Sequence, residues 1–327
     1  MEVSVLNVFL SVFALTLLAV PGFIVGKCKI LKEGATKILT DVLLYIGQPL
    51  LTFMSFQKAE YSTAVVKNLL VVAGVAILVH IIMLLIMFGL FFKKGTNDEK
   101  FRILSFASVF GNCGFMGLPF LQMLFGQNSP EALMYGAVVI SVFNAFSWTV
   151  GIFFISRDKK FVSVKKAFFN PPFIALVISL PLFLILKKPI NLIGVEGTFI
   201  RQLFEKVYLS GNYLGELVTP LSMIILGLRL SEMKFKTVFL KYTSYISSAF
   251  KLILMPTIAF ILCTIFNLPE LLKWAITFEF SMPTAVQTLL FTEKYGNDPH
   301  SAGSAVLLAT ILSILTIPFT FLIFNLF

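Results

Sequence analysis

The sequence predicts an all-α polytopic membrane protein of about ten transmembrane helices in two inverted five-helix repeats, with helices four and nine broken and crossing. Three observations carry this reading. Of 327 residues, 58% are hydrophobic and 13% charged, with a mean hydropathy of +0.94, whereas soluble domains are roughly 45–50% apolar and about 25% charged. Apolar runs long enough to cross a hydrocarbon core of about 30 Å follow one another from Val5 to Phe327, leaving no room for a soluble domain. Polar and helix-breaking residues also recur at matching places in the two halves.

The helices are expected near 5 to 26, 36 to 56, 66 to 92, 101 to 125, 131 to 156, 172 to 187, 211 to 231, 241 to 266, 271 to 294 and 300 to 326. Helix one lacks a basic n-region and is followed by Lys27, Lys29 and Lys32, the reverse of a cleaved signal peptide, so it is expected to remain. Helix two carries Gln48 and Pro49, and helix three has His80 at its centre. Helix four contains Gly111-Asn112-Cys113-Gly114-Phe115-Met116-Gly117-Leu118-Pro119, whose glycines and proline disfavour a continuous helix. Helix five carries Asn144.

The stretch from Arg157 to Pro171 is the most basic connection and falls near mid-chain, which divides the protein into repeats at 1–156 and 172–327 joined by 157–171. Five helices per half force the second to enter the membrane inverted. Helix six is the apolar run ahead of Lys187-Lys188; helix seven holds Glu216 and Pro220, and helix eight holds Lys251. Pro49 and Pro220 are as far apart in the chain as His80 and Lys251, which supports the repeat. Helix nine breaks at Pro283 within Glu279-Phe280-Ser281-Met282-Pro283-Thr284-Ala285-Val286-Gln287, and helix ten closes the chain.

The net charge of +10 comes from lysines and arginines in short loops. With both termini extracytoplasmic, the cytoplasmic loops hold most of them, including Lys93, Lys94, Lys100, Arg157, Lys159, Lys160, Lys165, Lys166, Lys234, Lys236, Lys241 and Lys294. Nucleic acid is therefore not an expected partner; the lipid bilayer is. Cys28, Cys113 and Cys263 form no CxxC pair, and no HExxH, Walker loop or GxSxG elbow is present, so neither a metal site nor an enzyme is expected.

Unwound backbone at membrane depth is tolerated only when buried in protein or facing a watery cavity. Two broken helices in corresponding positions therefore point to a substrate site, and half-helix N-termini suit a carboxylate. The expected substrate-binding residues are Asn112, Cys113, Gly114, Gly117, Pro119, Asn144, Lys251, Ser281, Pro283 and Thr284. Glu279 and Gln287 are expected to form a cation or proton site, with His80 as a further titrating candidate. Alternatives stand beside these assignments: the glycines allow close packing, the prolines kink, Lys251 either attracts an anion or neutralises Glu279, and His80 packs. Gln48 and Glu216 are secondary candidates. The phenylalanines are expected to face lipid or pack.

Asn112 to Pro119 resembles the helix-four motif of the auxin efflux carrier family, and Met282 to Val286 followed by Glu293-Lys294-Tyr295-Gly296-Asn297-Asp298 resembles its helix-nine pattern. The resemblance spans the whole chain. It implies a scaffold domain and a transport domain, with Pro119 and Pro283 marking the crossing. Bacterial members include malate permeases and plant members are PIN auxin carriers, many with a long loop where this chain has a short one. The fold is similar to that of bile-acid sodium symporters, in which a helix-nine acid helps bind sodium, a role Glu279 could match. These readings together imply a secondary carrier of small organic anions in the cell membrane, without a cofactor, coupled to Na+, to H+ or to neither, and, by resemblance to related folds, a homodimer. The alternatives are a sodium-coupled symporter of the bile-acid type and a non-transporting ligand sensor.

Overall fold

The computed structural model describes residues 4–32, 34–126, 128–232, 239 and 241–326. Lys234 and Lys236, counted above with the cytoplasmic loops, lie outside the described residues. The long elements are α1 (Val5–Lys27), α2 (Ala35–Lys58), α3 (Thr63–Phe91), α4 (Glu99–Val109), α5 (Cys113–Phe125), α6 (Glu131–Ser156) and α7 (Pro171–Leu186). They continue as α8 (Phe199–Glu216), α9 (Val218–Glu232), α10 (Tyr242–Ile265), α11 (Glu270–Ser281), α12 (Gln287–Tyr295) and α13 (Pro299–Phe324). Among the described residues, eight helical stretches are long and apolar enough to cross a membrane; the two broken pairs, α4 with α5 and α11 with α12, complete the expected ten.

Helix seven departs from its expected start. Helix already begins at Phe199, and α8 meets α9 at Leu217. An apolar-run criterion misses α8 because its sequence, FIRQLFEKVYLSGNYLGE, mixes charged and apolar residues along one helix. Gly211 and Gly215 let α8 lie against Met54 and Leu51 of α2. Glu216 sits on the outside, bonded to Asn212 (2.7 Å) and 3.8 Å from Lys58, so it is not part of an interior site.

Three π turns precede prolines: Leu43–Gly47 before Pro49, Cys113–Gly117 before Pro119 and Phe250–Leu254 before Pro256. Proline lacks an N–H and its ring clashes with the carbonyl four residues back, so a locally widened turn accommodates it without ending the helix.

The helices pack in two sets. α1 lies along α9 and α7 along the second half of α2, while α3 lies along α6 and α10 along α13. Exchanging the two halves of the chain turns the first pairing of each set into the second. At one end of the second set, the Glu99 carboxylate accepts the Asn297 amide (2.5 Å), and Lys241 reaches Asp298 at 3.5 Å and Ser301 at 2.7 Å. The Gly296-Asn297-Asp298 motif thus ties the start of α13 to the starts of α4 and α10. Nearby Asp98 caps α4, and its hydrogen bond with Lys100 holds the carboxyl below its ordinary value.

Candidate functional site

The two breaks cross. Between α4 and α5 the backbone is extended at Phe110, and between α11 and α12 at Met282. There the Asn112 amide donates to the Pro283 carbonyl (2.7 Å) and the Ala285 amide to the Phe110 carbonyl (2.9 Å), pairing Gly111 with Thr284 in one antiparallel bridge. The unwound backbone satisfies itself across the crossing, as burial away from water demands. Pro283 sits in the crossing. Pro119, expected to mark it, lies beyond the π turn in α5 and is buried; Gly111 and Asn112 occupy the crossing instead, because only there does the chain leave helical geometry.

Each incoming half-helix leaves carbonyls at its end without a helical partner. At the end of α4 the Thr284 hydroxyl donates to the Ala107 carbonyl (3.0 Å). At the end of α11 the Lys251 ammonium donates to the Phe280 carbonyl (2.7 Å) and approaches Met255 Sδ at 3.3 Å. Each outgoing half-helix leaves amides. Met116 and Gly117 both bond to the Asn112 carbonyl, leaving those of Cys113, Gly114 and Phe115 ahead of the ladder. Neither start carries a side-chain cap.

Both starts open on one cavity of about 940 Å³, lined by Gly111, Asn112, Gly114 and Phe115 on one side and Ala285, Val286 and Gln287 on the other. The Asn112 carboxamide has no hydrogen-bond partner among the described residues and faces this space. Asn144 also lines it, with its amide 3.4 Å from Asn170 Oδ1, and so does Gln48, whose Nε2 lacks a partner. The walls are mainly apolar and include the rings of Phe53, Phe115, Phe143, Trp148, Phe169 and Phe291. Lys166 and Lys294 also line it, each near an aromatic ring, Trp148 at 5.2 Å and Tyr295 at 5.6 Å. The wall rings and these two lysines were not singled out from sequence. Thirty-seven phenylalanines carry no positional signal; Lys294 was within reach, since it belongs to the helix-nine motif.

The ionisable candidates lie elsewhere. His80, Cys113, Lys251 and Glu279 share a separate buried enclosure of about 10 Å³, roughly the volume one water occupies. Lys251 is 0% exposed and Glu279 1%, yet they form no ion pair within 4 Å. Neither Glu279 carboxylate oxygen has a hydrogen-bond partner; a Cβ on Gly117 or Gly136 would overlap that carboxylate. Glu279 and Gln287, expected to act as one site, therefore open on different cavities. His80 bonds through Nδ1 to the Ala76 carbonyl (2.8 Å) and stacks on Phe146 at 5.2 Å. Ser281 is buried and donates to the Thr277 carbonyl of its own helix (2.8 Å).

Residues 7–321 match a family described as membrane transport protein. The chain belongs to this family, that of the auxin efflux carriers. An uncharacterized transporter of Methanocaldococcus jannaschii is 30% identical over 95% of this chain and 96% of its own length. A second uncharacterized transporter, from Methanothermobacter thermautotrophicus, is 25% identical over 94% and 95%. This family member is thus a multi-pass membrane transporter, similar over its whole length to archaeal proteins described as transporters.

Proposed function

We propose that the protein is a secondary carrier of organic anions that have a carboxylate head and an apolar, aromatic-sized body. The observation that carries this reading is that both uncapped half-helix starts and the free Asn112 carboxamide line the same apolar cavity, which several aromatic rings border. Unpaired amides at the positive ends of two helix dipoles stabilise a carboxylate without a cationic side chain. A cavity of about 940 Å³ is within the range of organic-ligand sites, and its rings favour an apolar body over a dicarboxylate such as malate.

On this reading 1–156 and 172–327 are inverted repeats, a division supported by the exchange-related packing of α1 on α9 and α7 on α2. The first packing set acts as scaffold and the second, carrying the crossing, moves against it to alternate access. The protein sits in the cell membrane with both termini outside, and the mouth bearing Lys166 and Lys294 faces the cytoplasm. Glu279 carries the coupling: an ionised carboxylate buried without donors costs several kcal/mol, a cost removed by a bound proton.

The test is uptake of labelled indole-3-acetate, benzoate and malate into proteoliposomes under separate sodium, pH and voltage gradients. Saturable uptake and counterflow of an aromatic monocarboxylate, with malate weaker, is expected. Saturable uptake of none would remove the carrier assignment, and binding without flux would favour the sensor.

A further inference from the structure

We infer that the Lys251 ammonium is a tethered cation that fills, permanently, the place an inorganic coupling ion would take at the crossing, so that removing it creates a site for a free monovalent cation. In carriers with broken helices, half-helix C-terminal ends and unwound carbonyls are the groups that coordinate Na+. Here that position is already occupied. The ammonium donates to the Phe280 carbonyl at 2.7 Å, the penultimate residue of α11, where the helix dipole is negative. A Cβ on Gly111 would collide with Lys251 Cε and Nζ and stand 3.1 Å from the Met282 carbonyl, so the lysine tip fills the space between the two unwound strands.

Two further features separate this lysine from a structural ion pair. It has no carboxylate within 4 Å, and its side chain is 0% exposed, so the carbonyl at the negative end of α11, with the Met255 thioether alongside, takes the place of an acid. It also rises from the π turn Phe250–Leu254 that precedes Pro256, and from there its ammonium reaches the end of α11. Lys251 does not line the large cavity, so its charge acts on the crossing and not by contact with the cargo.

This inference rests on the crossing being the transport centre, but its test needs no cargo. Thermal unfolding of the purified full-length protein is measured in NaCl, KCl and choline chloride at equal ionic strength for wild type, Lys251→Ala and Lys251→Met. Wild type should melt at the same temperature in all three salts. Lys251→Ala should melt about 2 °C or more higher in NaCl or KCl than in choline at cation concentrations well above Kd. Lys251→Met, which fills the space without charge, should show no such difference. A wild-type protein stabilised by Na+ or K+ over choline would overturn the inference, because the ion site would then be open beside the lysine. Equal melting of folded Lys251→Ala in all three salts would overturn it as well. If Lys251→Ala does not fold, Lys251→Ser takes its place, and the wild-type comparison stands alone as a decisive measurement. Failed anion uptake in proteoliposomes would bear on the carrier reading and leave these melting differences untouched.

Discussion

Replacing Thr284 by valine keeps the side-chain shape and removes one hydroxyl. That hydroxyl donates to the Ala107 carbonyl at 3.0 Å, and Thr284 is 0% exposed. The last backbone amide to close onto α4 is that of Phe110, which donates to the Phe106 carbonyl (3.0 Å), so Ala107 is the first carbonyl beyond the ladder and depends on Thr284. Leaving a buried acceptor unpaired costs about 1–3 kcal/mol. Thr284→Val should therefore lower the melting temperature of the purified protein by a few degrees, while Thr284→Ser, which keeps the donor, should lose less. Uptake should fall more than membrane insertion, because the bond joins the end of α4 to the strand leading into α12. A valine variant that melts within a degree of wild type would refute the reasoning, since the carbonyl would then be satisfied without the hydroxyl.

Asn112→Ala should raise the KM for the transported anion by about 10–100-fold with little change in melting, the loss of one hydrogen bond to a charged group; an unchanged KM in proteoliposome uptake removes Asn112 from the site. Glu279→Gln should abolish the acceleration of uptake by a proton gradient while leaving anion exchange in place, and an unaltered gradient response would make Glu279 a structural residue. Replacing Lys166 and Lys294 together by alanine should slow initial uptake from the mouth side at low salt and much less at high salt, because exposed charges are screened within about 10 Å at 0.1 M; a salt-independent defect would mean that the lysines act on folding.

Most of the architecture was legible because the bilayer enforces it: every span must be helical and apolar over a set length, so long runs give both the number and the order of helices. The breaks at Gly111 and Pro283 were legible for the same reason, since glycine and proline together are the local signals of unwound backbone. The start of helix seven was not, because α8 mixes charges into its apolar residues. Nor was the separation of Glu279 from Gln287. They lie on opposite sides of the break, and a change of chain direction at Met282 and Pro283 sends a side chain on α11 and one on α12 into different cavities. Sequence spacing counts residues along a helix and loses its meaning where the helix ends.

The helix-four glycines show how the two readings of that motif, close packing and unwinding, become one. Gly111 abuts the Lys251 tip, Gly114 the Gln48 carboxamide and Gly117 the Glu279 carboxylate. Three successive glycines at a spacing of three residues thus make room for three polar side chains from three other helices, at the depth where lipid satisfies none of them. A Cβ at any of these positions would displace a polar group: the lysine from the Phe280 carbonyl, the amide from the wall of the large cavity, or the acid from its place beside Gly136. The small residues are needed because the neighbours are polar and must approach the crossing. The chemistry of helix four is therefore contributed largely from outside it, by Gln48, Lys251 and Glu279, and its own sequence supplies the space, the unpaired amides and Asn112.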